Sequence, residues 1–121
     1  MDILTERLSI RRFLPGDWRD LYEYLSQDAV VRFEPYGAFS KEACKLEAER
    51  RSRDEGFWAV CLKKCGKLIG NIYLSKRDYG TWELGYAFNE RFHRKGYATE
   101  AARAMLDDVF TYCGARRVFA T

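Results

Sequence analysis

The sequence has little of several things, and each shortage removes a class of function. It has one histidine, His93, and four cysteines, Cys44, Cys61, Cys65 and Cys113, which form no paired C-x-x-C framework. A zinc site needs more ligands at closer spacing, so no metal is expected. The cysteines read as reduced thiols. Prolines number two. No apolar run is long enough to span a bilayer. The N-terminal residues, Met1 to Arg7, lack the layout of a secretory leader, so a cytoplasmic location is the default. Charge of one sign is also missing. With 21 basic and 18 acidic residues the net charge is only +3, too mild to imply a nucleic-acid partner, although a local basic cluster could meet an anion. There is no internal repeat and no low-complexity tract. No G-x-x-x-x-G-K-[ST] is present, which excludes a nucleotide P-loop, and no G-x-G-x-x-G follows a strand, which argues against a dinucleotide fold.

What remains is a chain of 121 residues, 47% hydrophobic and 16% aromatic, enough for one domain spanning residues 1–121 with a core of its own. Leu8 and Ile10 alternate with polar neighbours and predict a half-buried strand. Pro15-Gly16-Asp17 breaks it, and Trp18, Leu21, Tyr22 and Leu25 recur at helical spacing. Val30–Phe39 reads as a loop. Ser40 is a candidate N-cap for a second helix running to about Arg53, with a thin apolar face. Three strands follow at Phe57–Leu62, Leu68–Leu74 and Trp82–Phe88. The turns Lys63–Lys67 and Arg77–Gly80 between them are short, so the strands form an antiparallel meander. Gly85 inside the third suggests a bulge or a close approach. Then Ala98, Ala101, Ala102, Met105, Leu106, Val109, Phe110 and Cys113 make an unbroken helical stripe, with Gly114 as its stop. Val118-Phe119-Ala120 begins another strand. A helix of this length between strands favours a parallel crossover, hence an α/β chain with a mixed sheet.

The segment Arg94-Lys95-Gly96-Tyr97-Ala98 joins a strand to the start of that strongly amphipathic helix. A helix start offers unpaired N–H groups and the positive end of the dipole. Gly96 and Ala98 leave the backbone approachable, and Arg94 and Lys95 add positive charge. Such a loop can hold an anion, and a pyrophosphate would suit it. On spacing alone, an ordinary loop with solvated basic residues remains open.

Arg94-Lys95-Gly96-Tyr97-Ala98-Thr99-Glu100-Ala101 resembles the Gln/Arg-x-x-Gly-x-Gly/Ala loop of the GNAT N-acetyltransferases, with His93 at the first motif position. Glu83-Leu84-Gly85-Tyr86-Ala87-Phe88-Asn89 resembles the strand before that loop. Thr5–Arg11, Val30-Val31-Arg32-Phe33 and Leu68–Ile72 are similar to pieces of the branch that includes the RimJ and RimL ribosomal-protein N-terminal acetyltransferases. The resemblance runs in register from about residue 4 to the end. It implies a GNAT fold with flanking helices, and transfer of acetyl from acetyl-CoA to a primary amine, on a protein N-terminus or a small molecule. It implies that Arg94, Lys95, Gly96, Tyr97, Ala98 and Thr99 bind the cofactor pyrophosphate, with main-chain groups of Tyr86, Ala87 and Phe88 on the pantetheine arm. Glu83 is the candidate base, and Glu100 supports the helix start. Phe33, Glu34, Tyr36 and Tyr73 are candidates for an acceptor groove. Family members continue through another helix and two strands, which often supply a tyrosine near the thiolate. The fold is therefore expected to be C-terminally incomplete here, with a homo-oligomer through the last strand as one completion. A non-catalytic CoA-binding or protein-binding remnant of the fold is the alternative.

Overall fold

In the computed structural model the described residues are 2–27, 39–76, 81–112 and 117–120. Among these residues six strands form one sheet in the order β1 to β6. They are β1 (Ile3–Leu4), β2 (Leu8–Arg11), β3 (Phe57–Leu62), β4 (Leu68–Lys76), β5 (Thr81–Phe88) and β6 (Arg117–Ala120). Every neighbouring pair from β1 to β5 is antiparallel, and β6 runs parallel to β5. The expected meander and parallel crossover are both present. The expected loop over Val30–Phe39 lies almost wholly outside the described residues. The turn Arg77–Gly80, Cys113 and the stop at Gly114 also lie outside them.

The sheet is covered on both faces, and the sidedness follows from strand alternation. Val60 and Leu62 on β3, with Ile72 and Leu74 on β4 and Leu84 and Phe88 on β5, face helix α3 (Tyr97–Tyr112). There they bury Ala101 and Met105 of its apolar stripe. Ala59, Cys61 and Leu68 face the other way, toward α1 (Trp18–Leu25) and α2 (Lys41–Ser52). Leu21, Tyr24, Leu25, Cys44 and Ala48 pack on them there. Ser40 caps α2 as its side-chain type suggests, its hydroxyl oxygen accepting from the Ala43 N–H at 3.1 Å.

Helix α2 also buries a charge. Arg51 is only 4% exposed; it donates to Glu47 at 2.5 Å and to the side-chain oxygen of Asn71 at 3.1 Å. Tyr24 donates to the same oxygen at 2.6 Å, so a polar knot satisfies itself under both helices.

One expectation is corrected. β4 and β5 pair residue for residue from Gly70–Phe88 to Lys76–Trp82, so Gly85 carries no bulge there and sits opposite Tyr73. The register slips instead between β3 and β4, where Val60 pairs with Gly70 but Cys61 pairs with Leu68, leaving Ile69 as the extra residue. Along its other edge β5 pairs with β6 only from Thr81 to Leu84 among the described residues. Its last three residues, Tyr86, Ala87 and Phe88, line a cleft.

Candidate functional site

The cleft is about 400 Å³ and opens where β5 hands over to α3. One wall is Tyr86, Ala87 and Phe88. The other is Arg94, Gly96, Tyr97, Ala98 and Thr99, with Phe92 and His93 at the end. The Tyr86 side chain is more than half exposed, whereas Phe88 is buried under the helix. Eight of the nine residues expected to bind a pyrophosphate and pantetheine therefore lie together. The ninth, Lys95, is not in the lining; its carbonyl is turned away from the cleft wall toward Arg7.

The local backbone explains why the loop can take an anion. Arg94 and Gly96 have φ of 63° and 80°, in the left-handed region, on either side of Lys95. Backbone that alternates handedness in this way turns successive N–H groups toward one concavity. The first i→i−4 bond of α3 runs from the Glu100 N–H to the Gly96 carbonyl at 3.0 Å. The N–H groups of Tyr97, Ala98 and Thr99 therefore precede the helical ladder and have no acceptor within it. Small side chains at Gly96 and Ala98 leave these donors reachable, and the dipole adds to the attraction.

Three side chains hold the loop in place, and sequence reading missed two of them. His93 Nε2 lies 2.8 Å from the Phe88 carbonyl oxygen, so that nitrogen carries a proton and ties the loop to the end of β5. Asn89 is completely buried at the hinge between strand and loop. Its side-chain oxygen accepts from Gln27 at 3.1 Å and from the Arg91 N–H at 3.0 Å, while its amide nitrogen donates to Glu23. Burial would raise the Glu23 carboxyl, but hydrogen bonds from Lys67 and Asn89 hold it below the usual carboxylate range. Arg7, on the chain leading into β2, stacks on the Tyr97 ring with its guanidinium 4.3 Å from the centroid. It also donates to Glu100 at 2.7 Å and to the Lys95 carbonyl at 2.9 Å. Both missed residues act across separations in sequence that no local pattern displays.

Of the remaining expected site residues, Glu83 and Tyr73 fall outside the cleft lining. Glu83 is half-buried on β5, opposite Ser75 on β4, on the same face of the strand as Gly85 and Ala87. Tyr73 lies on β4 and packs its ring on Phe57 at 4.5 Å. Phe33, Glu34 and Tyr36 lie outside the described residues. No helix among the described residues is long and apolar enough to cross a membrane.

Comparison with known proteins points to one family. Residues 7–121 match the family model described as the acetyltransferase (GNAT) domain. The uncharacterized N-acetyltransferase YnaD of Bacillus subtilis (strain 168) is 38% identical over 124 residues, which cover 100% of this chain and 72% of that protein. The crystal structure of a GNAT-family acetyltransferase from Bacillus anthracis superimposes with a TM-score of 0.92 at 34% identity, covering 99% of this chain and 72% of that one. A GCN5-related N-acetyltransferase from Brucella melitensis shares the fold, with a TM-score of 0.83 at 23% identity over 98% of this chain and 58% of that one.

Proposed function

The chain belongs to the GNAT acetyltransferase family, and from that premise we propose that it transfers acetyl from acetyl-CoA to a primary amine by direct attack. The observation that carries this reading is the single cleft that brings the end of β5 and the loop Arg94–Ala98 face to face. In this reading the N–H groups of the loop and of the first turn of α3 hold the pyrophosphate. The pantetheine arm then runs back along Tyr86–Phe88, pairing with main-chain groups on the edge away from β4, where β6 pairs only Thr81 to Leu84 among the described residues. One of those N–H groups polarises the thioester carbonyl, where negative charge develops as the amine attacks.

The chemistry requires an amine that has lost its proton. The nitrogen lone pair adds to the thioester carbon, the C–S bond breaks, and the CoA thiolate leaves and takes up a proton. We assign the base to Glu83. The arm runs toward it from the loop, and half-buried Glu83 sits about 10 Å along β5 from Tyr86 and about 16 Å from Phe88, at about 3.3 Å per residue. A water between carboxylate and amine spans what remains. Phe33, Glu34, Tyr36 and Tyr73 are the proposed acceptor groove. The phrases Thr5–Arg11 and Leu68–Ile72 favour the RimJ/RimL-like branch, hence an acceptor that is a peptide N-terminus or a small amine.

A thiol-release assay over a panel of peptide and small-molecule amines tests the proposal. Release that depends on the amine supports it. CoA binding without release from any amine would point to the non-catalytic reading.

A further inference from the structure

We propose that Arg7 is a positioning residue for the cofactor loop: its guanidinium caps the Lys95 carbonyl and thereby sets the peptide between Lys95 and Gly96 in its anion-binding orientation. The inference deepens the cofactor assignment above and rests on it for the identity of the anion.

The argument starts from the geometry of one peptide unit. In a trans peptide the C=O and the following N–H point in opposite directions. Lys95 O accepts from Arg7 Nη1 at 2.9 Å, so the N–H of Gly96 points away from Arg7. A flip of that unit would reverse both dipoles and place a carbonyl oxygen where an anion needs a donor. The flip turns ψ of Lys95 and φ of Gly96, and it is sterically accessible because Gly96, left-handed here at φ 80°, accepts either hand. An external hold on the carbonyl is what selects one orientation.

Arg7 is itself fixed in the required position. Its Nε donates to Glu100 Oε1 at 2.7 Å and its backbone N–H donates to Glu100 Oε2 at 3.0 Å. Thr5 donates its hydroxyl to the same Oε2 at 2.5 Å. The guanidinium plane lies on Tyr97 at 4.3 Å from the ring centroid, and a Cβ built at Gly96 would come within 3.3 Å of Nη2. Three sides of one planar fork are thus engaged at once, by a carboxylate, a carbonyl and an aromatic face. Arginine can do this and lysine cannot. Because Glu100 neutralises the guanidinium, the contribution of Arg7 to the site is orientation of the loop rather than net positive charge. That assigns a specific purpose to the pairing of Thr5 and Arg7 with Glu100, far along the chain.

Arg7→Lys and Arg7→Ala test the proposal on the chain as it is. The first reading needs no ligand: the Gly96 amide is followed by ¹⁵N NMR in the free protein. It is expected to shift and to exchange faster in both variants. The second reading is calorimetry with CoA and, separately, with pantetheine, which lacks the pyrophosphate. CoA affinity should fall about tenfold in either variant, the loss expected for one hydrogen bond to a charged group. Pantetheine affinity should stay at the parent value. An unchanged Gly96 amide with unchanged CoA affinity in Arg7→Lys would overturn the proposal. Equal losses for CoA and pantetheine would also overturn it, by reducing Arg7 to a general structural contact. A parent chain that binds no CoA at all would sink the cofactor assignment, and the amide measurement would still decide whether Arg7 sets the peptide.

Discussion

Two basic glycine turns in this chain look alike in sequence and differ in what surrounds them. Lys63-Lys64-Cys65-Gly66-Lys67 joins β3 to β4, and Arg94-Lys95-Gly96-Tyr97 joins β5 to α3. The glycine of each is left-handed, with φ of 79° at Gly66 and 80° at Gly96. The hairpin closes chiefly on itself, although its Lys63 N–H donates to the Arg7 carbonyl at 2.9 Å. The Gly66 N–H donates to the Leu62 carbonyl at 2.7 Å, and the Leu62 N–H donates to the Lys67 carbonyl at 2.8 Å. A Cβ at Gly66 would meet nothing within 4 Å. In the loop, by contrast, the Lys95 carbonyl is taken by a side chain 88 residues away, and the N–H groups that follow belong to a helix start. Local composition makes a turn in both places. What differs is a distant side chain on the carbonyl of one turn and the helix start that follows it.

The sharpest break of this comparison is to put the same side chain at both glycines. Gly66→Val should cost about 1–2 kcal/mol of stability for its left-handed backbone and leave CoA affinity alone. Gly96→Val should lose CoA binding altogether, because branched carbon would occupy the approach to the N–H groups and press on Arg7. Paired calorimetry and thermal melts read both effects. Equal CoA affinity in the two variants would erase the distinction between the turns.

A second substitution separates binding from chemistry along β5. Glu83→Gln should leave CoA affinity near the parent value and lower turnover near neutral pH by ~10²–10⁴-fold, with the acid limb of the rate profile moved or gone. A rate and pH profile matching the parent would transfer the role of base to a water chain or to another carboxylate, such as Glu34.

A smaller effect comes from acid. Burial on its own would raise the Glu100 carboxyl, but hydrogen bonds from the Thr5 hydroxyl, the Arg7 N–H and the Arg7 guanidinium together hold it below the ordinary range. A carboxylate lowered by folding adds stability that is fully present above its unfolded value of about 4.3 and is lost as pH falls through the folded value. Thermal midpoints should therefore drop below about pH 4, and drop less in Glu100→Gln. A variant with the parent's pH dependence would show that the pairing adds nothing.

The smallest expected difference concerns thiols. Burial pushes Cys44 and Cys61 up to about 11, whereas Cys65 is exposed on the hairpin. At neutral pH a thiol reagent should label Cys65 in the native protein and spare the other two until it unfolds. Modification of Cys65 should leave CoA affinity unchanged, as a hairpin outside the site requires.

Periodicity made the scaffold readable. The alternation in Leu8–Arg11 and the stripe through Ala101 and Met105 are imposed by burial on one face, and burial is written locally in residue type. That Arg94–Ala98 leads into a helix start with small residues was readable for the same reason, since such residues have local consequences. The bulge was misplaced at Gly85 because a glycine permits a slip without requiring one. The actual slip at Ile69 is decided by pairing between strands. Arg7, Asn89 and the buried Arg51 were invisible as supports, because each becomes meaningful only beside partners brought in by the fold. Arg7 in particular reads as one of many charged residues on a short amphipathic strand.

The most direct test of the cofactor assignment is a titration of the ¹⁵N-labelled chain with CoA. The amides of Tyr86–Phe88 and of Arg94–Thr99 should move together and saturate at one dissociation constant, while those of Lys63–Lys67 stay where they are. Shifts concentrated in the hairpin, or no saturable shift in the loop, would contradict the assignment of the cleft as the acetyl-CoA site.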